Sequence, residues 1–130
     1  LRKQTNGSRI CLHNNTLDSN HEMIISQSKL NFFPPKKNIT TDQTFLIISG
    51  KLLILTFDNK GKILKRNILS KNENLICRVK KGSYHCDIPL SRTSIHLETS
   101  NQSFKKRKIA FLSEKYRRNL YREIEIIQNK

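Results

Sequence analysis

Few side chains in this sequence could carry chemistry, and they are unevenly placed. The histidines are His13, His21, His85 and His96, and the cysteines are Cys11, Cys77 and Cys86. Cys11 and His13 stand two apart, so an extended strand sends both to one side. With His21 shortly after, a thiolate and two imidazoles would form a metal-ligand set if the fold gathered them. His96 and Glu98 share a strand face by the same parity, which reads more simply as a polar pair in a protein interior. There is no Gly-x-Ser-x-Gly elbow, no P-loop and no dinucleotide fingerprint. Acidic residues number 10 against 25 basic ones, so paired-carboxylate catalysis has little support. No catalytic residue is assigned.

The elements that must position these groups follow from the rest of the chain. Its 130 residues suit one domain. No run of about 20 apolar residues occurs, so no transmembrane helix is expected. The first residues lack an apolar signal core, and a start on Leu1 reads as a fragment or a trimmed chain. An odd cysteine count without a Cys-x-x-Cys spacing argues against a disulfide framework or a cysteine zinc site. The cysteines then read as small buried hydrophobes in a reducing cytoplasm.

Net charge is +15, enough to attract polyanions. The charge is densest in Lys105-Lys106-Arg107-Lys108 and in Lys115, Arg117, Arg118 and Arg122. The simplest reading of these runs is a solvated basic face. A polyanion site is the sharper one.

From Arg9 to Glu98 the chain reads as short strands. Arg9–His13, Glu22–Ser26, Thr44–Ser49, Leu52–Phe57, Lys62–Leu69, Leu75–Val79, Tyr84–Ile88 and Ser94–Glu98 alternate or are rich in β-branched and aromatic residues. Gly50 and Asp58-Asn59-Lys60-Gly61 supply turns. Closely spaced strands without strand–helix alternation predict a sandwich or closed barrel. From Ser113, a candidate N-cap, Tyr116, Leu120, Ile124 and Ile127 recur at helical spacing. That predicts an amphipathic helix with its stripe buried on the barrel, a dimer contact or a membrane surface.

The middle of the chain keeps the frame of two known motifs. In active cupins, His-x-His is followed after four residues by Glu and after six more by Gly. Here the frame holds Lys36-x-Asn38, Gln43 and Gly50. The second motif, Pro-x-Gly-x-x-His, becomes Lys80-x-Gly82-x-x-His85. The chain also resembles the WbuC-like family of cupin-fold proteins. The matching segments, in order, are Ser8–His13, His21–Met23, Phe33–Asn38, Gln43–Phe45, Phe57–Gly61, Tyr84–His85 and Glu98–Asn101, with Phe104. The resemblance runs from about Arg9 to Phe111. The basic helix after Ser113 departs from it, because the family ends in a Pro- and Trp-containing stretch.

The resemblance implies an all-β fold: a single cupin barrel, jelly-roll or double-stranded β-helix, over 1–112. A basic helix over 113–130 would pack on the barrel or extend from it. It also implies a surface-polysaccharide context and pairing of two copies through barrel edges. Lys36, Asn38, Gln43 and His85 would line the pocket, with Cys11, His13, His21, His96 and Glu98 as secondary candidates. Metals need lone pairs from deprotonated ligands. Lys36 brings an ammonium, while Asn38 and Gln43 bring neutral amides. No metal and no other cofactor is expected in that pocket. The functional expectation is a small anionic, sugar-derived ligand. The alternatives are a cupin enzyme acting on a sugar nucleotide, and a nucleic-acid or anionic-surface binder working through the basic tail.

Overall fold

The structure is a computed structural model that describes residues 7–29, 33–103 and 105–130. Phe104, quoted above in the family resemblance, lies outside the described residues. The strands are β1 (Ser8–Cys11), β2 (His21–Ser28), β3 (Lys36–Asn38), β4 (Gln43–Ser49), β5 (Leu52–Phe57), β6 (Ile63–Leu69), β7 (Ile76–Val79), β8 (Tyr84–Pro89), β9 (Thr93–Ser100) and β10 (Ile109–Phe111). One helix, α1 (Glu114–Gln128), follows.

The strands form two antiparallel sheets. One runs β1-β2-β9-β4-β7 and the other β10-β3-β8-β5-β6. Strict alternation of buried and half-buried residues along β2 and β9 marks the first sheet as covered on one face only. The β5 run Leu52-Leu53-Ile54-Leu55 is buried throughout, because the second sheet is covered on both faces. Leu52 and Ile54 meet Phe45, Ile47, Leu69 and Val79 between the sheets. Leu53 and Leu55 point the other way and join Cys86, Ile88, Leu112, Leu120 and Ile124 beneath the helix. The order of layers is therefore helix, sheet, sheet.

The stripe predicted for the tail is the one that packs. Leu120 and Ile124 are buried, and Tyr116 and Ile127 lie against the same cluster. Ser113 holds the N-cap place, but its hydroxyl makes no cap bond. Its carbonyl instead accepts from the Tyr116 and Arg117 amides. The side chain of Gln128 anchors the far end by donating to the carbonyls of Lys29 and Pro89. No helix among the described residues is long and apolar enough to cross a membrane.

Two glycines of the motif frame have positive φ, Gly50 at 80° and Gly82 at 81°. They differ in surroundings. A Cβ on Gly50 would come 2.4 Å from the Thr93 carbonyl oxygen, whereas one on Gly82 would meet nothing within 4 Å. Gly82→Ala should therefore cost only the left-handed backbone penalty, about 1–2 kcal/mol, and Gly50→Ala distinctly more. Ile124→Ala should cost about 2–5 kcal/mol through the cavity it leaves. The exposed neighbour Arg122→Ala should stay within about 0.5 kcal/mol. Urea unfolding of the four variants checks this order.

Candidate functional site

The site is built by strand parity. Lys36 and Asn38 are alternate residues of β3, and Lys36 lies directly opposite His85 of β8. Gln43 opens β4. Glu98 of β9 stands between Met23 of β2 and Phe45 of β4, and His96 stands between Ile25 and Ile47. His21 opens β2 opposite Ser100. Inward-facing positions of both sheets thus bring Asn38, Gln43, His85, His96 and Glu98 together, all of them buried.

A hydrogen-bond chain joins them. Asn38 Nδ2 donates to Gln43 Oε1 at 2.9 Å, and Gln43 Nε2 donates to Glu98 Oε2 at 2.8 Å. The second Glu98 oxygen accepts from His96 Nε2 at 3.0 Å. His85 sits between two acceptors, with Nε2 3.3 Å from Gln43 Oε1 and Nδ1 3.2 Å from the Ser83 carbonyl. A neutral imidazole has one proton for those two acceptors. Phe45 separates the two buried histidines, its ring centre 5.9 Å from each.

Electrostatics divides the histidines into two kinds. Burial pushes His85 down to about 4, and the Lys36 charge assists while the Ser83 contact opposes. Burial, with Arg107 and His13 nearby, takes His21 down to about 4 as well. His96 goes the other way. Burial resists its charge, but the Glu98 hydrogen bond and the charges of Asp87 and Glu98 prevail and raise it. Glu98 is held low because His96, Lys36 and His85 together outweigh its burial. At neutral pH the core thus holds uncharged His21 and His85, beside a His96 whose proton affinity is raised by the Glu98 carboxylate.

Of the secondary candidates, His21 reaches the interior and His13 stacks on it, ring centres 4.6 Å apart. Cys11 does not reach it. Every residue of β1 is exposed, Cys11 included, because this edge strand pairs on one side only and nothing among the described residues covers it. The thiol-and-imidazole set is therefore not assembled.

Sequence reasoning missed two groups. Asp87 lies two residues after His85 on β8, and so on the same face. It is buried, and burial together with Glu98 raises it to about 6, with His96, Lys36 and Gln27 acting against the rise. Strand parity was the signal that could have found it. Arg107, read as part of a solvated basic run, is in fact only 9% exposed. Its charge acts on His21, His85 and Glu98. Lys36 stays half-buried, with its ammonium 6.0 Å from the Phe33 ring centre. The site is therefore amphoteric, with cations at Lys36 and Arg107 and carboxylates at Glu98 and Asp87.

No family model and no curated protein matches this chain. Solved structures do. CapF, a capsular polysaccharide assembling protein from Staphylococcus aureus, is similar at 17% identity and TM-score 0.71, over 87% of this chain and 33% of CapF. Protein SO0799 from Shewanella oneidensis is similar at 11% identity and TM-score 0.71, over 100% of this chain and 89% of that one. A protein with a double-stranded β-helix domain from Klebsiella pneumoniae matches at 11% identity and TM-score 0.65, over 88% and 85%. The chain spans 29% of procruciferin from Brassica napus, so like CapF that protein extends well beyond the shared barrel. At these identities the likeness is one of fold: the chain has the cupin, or double-stranded β-helix, architecture.

The shifted groups set the pH dependence of stability. Between pH 6.5 and about 4, unfolding lets His21 and His85 take up protons that the folded state refuses, so stability falls as pH falls. Asp87 works in the opposite direction between about 6 and 3.8, because the folded state holds its proton more tightly. Two groups oppose one, and the net expectation is acid destabilisation equivalent to about one proton near pH 5. Urea midpoints from pH 7 to 4.5 should show this loss. Asp87→Asn should make it steeper and His85→Gln shallower.

Proposed function

We propose that the barrel binds a small anionic, sugar-derived ligand without a metal at the four cupin ligand positions Lys36, Asn38, Gln43 and His85. One observation carries this reading. Lys36 stands in register with His85 over the Asn38–Gln43 amide pair, so a cation and neutral polar groups hold the positions where the family frame has ligands. An ammonium there disfavours a divalent ion and favours an anion. The carboxylates of Glu98 and Asp87 below it are acceptors that suit sugar hydroxyls, which can donate to them. A ligand with a phosphate or carboxylate at one end and hydroxyls at the other fits this polarity.

The context is consistent with a role near surface polysaccharides, in the cytoplasm, for a WbuC-like protein with a metal-free site that pairs with a second copy. The family resemblance supports this, as does the fold shared with a capsular polysaccharide assembling protein. A second reading is an enzyme acting on a sugar nucleotide. The raised carboxyl of Asp87 beside ionised Glu98 favours it, since two acids with separated proton affinities are a frequent feature of acid–base sites. Nucleic-acid or anionic-surface binding through the basic tail has less support, because Arg107 turns inward and the apolar stripe of α1 is already packed.

A thermal-shift screen with sugar phosphates, uronic acids and nucleotide sugars tests the proposal. At least one should raise the melting temperature, and Lys36→Ala should abolish that rise while the unliganded variant stays folded. A screen without a single shift, or a shift unchanged in Lys36→Ala, contradicts it.

A further inference from the structure

The interior holds a second cluster outside the motif frame. We propose that Asp87, His96 and Glu98 form a divalent-cation site, displaced from the usual cupin ligand positions and linking the two sheets. One ligand atom from each of the three lies within 4.8 Å of the others, and all three side chains are buried. Asp87 comes from β8 of one sheet, and His96 and Glu98 from β9 of the other. The site therefore spans the barrel interior. Two residues of strand separate Asp87 from His85, about 7 Å along β8.

A second observation points the same way independently. Asp87 Oδ2 is buried without a hydrogen-bond partner among the described residues. Buried polar atoms are nearly always satisfied. A carboxylate oxygen in this condition has electron pairs to offer, and a cation is a partner that accepts them. His96 Nε2 and Glu98 Oε1 stand 3.0 Å apart, the spacing of neighbouring ligands on one ion, so a cation there would replace the proton between them, while Gln43 donates to the remaining Glu98 oxygen at 2.8 Å. Supporting bonds of this kind orient metal ligands from behind.

The donor set narrows the ion. One imidazole and two carboxylates suit borderline to hard divalent ions such as manganese, iron, cobalt or zinc, and not soft copper(I). Bonds of about 2.0–2.2 Å put neighbouring ligand atoms about 3.0–3.5 Å apart, so binding would draw the cluster inward by an ångström or so. Lys36 repels a cation at the frame position. The two extra carboxylate charges lie deeper, where they offset that repulsion.

Cobalt(II) and manganese(II) serve as probes. Protein stripped with chelator and dialysed against cobalt at pH 8, where ligands shed protons most readily, should retain one equivalent, show ligand-field absorption and melt at higher temperature. Asp87→Asn or Glu98→Gln should weaken binding at least about tenfold, while Lys36→Ala and Cys11→Ser should leave it intact. If those acid variants fail to fold, manganese broadening of histidine NMR signals in the unaltered protein replaces them, with His96 affected more strongly than His13. No retained cobalt, cobalt binding unchanged in both acid variants, or stronger broadening of His13 overturns the proposal. Anion binding lost in Lys36→Ala is a separate readout, so the two ideas fail independently.

Discussion

Gln43 is the residue on which the interior depends. Its amide accepts from Asn38 on one side and donates to Glu98 on the other, so one side chain ties β3 of one sheet to β9 of the other. An amide carries both the carbonyl and the N–H that these two roles need. A carboxylate at position 43 would have no proton to give Glu98, and two ionised acids would face each other in a region of low polarity. An apolar residue would strand the Asn38 donor and a Glu98 oxygen, each at the cost of an unmade buried hydrogen bond, about 1–3 kcal/mol. The amide at position 43 thus suits the carboxylate of Glu98 across the barrel.

That coupling organises the charge. Glu98 is buried, yet stays ionised because Gln43 and His96 both donate to it and Lys36 lies within electrostatic reach. The same contact raises the proton affinity of His96. His85, a neighbour in the same interior, gains no such partner and is driven neutral by burial. Phe45 stands between them, in edge contact with His85 and tilted against His96. Two imidazoles separated by one ring therefore differ in proton affinity, and the difference traces to which of them faces a carboxylate. The far half of the interior, around Leu52, Ile54 and Leu69, is apolar and gives the polar half a rigid wall.

Much of this was legible in the sequence. The strands from Thr44 to Phe57 and the stripe Leu120–Ile124 were readable because burial on a repeating face leaves a periodic trace. The frame Lys36, Asn38, Gln43 and His85 was readable through its spacing against known motifs. Strands β3 and β10 were not, since three residues are too few to show a period. Asp87 escaped notice because its significance comes from facing Glu98, a partner on the other sheet. Arg107 was misread because a basic run looks solvated until one member is found turned inward. Cys11 was wrongly grouped with His13, since parity gives a shared face but not which face, if either, is covered.

The account rests on two imidazoles of one interior whose proton affinities move in opposite directions, His85 down and His96 up. Nitrogen-15 NMR titration of the imidazoles in the unaltered protein tests this directly. It should find His85 neutral throughout the range above pH 5 and His96 titrating above the ordinary histidine value. Signals showing both rings titrating together near that ordinary value, or His96 displaced below it, would contradict the arrangement described.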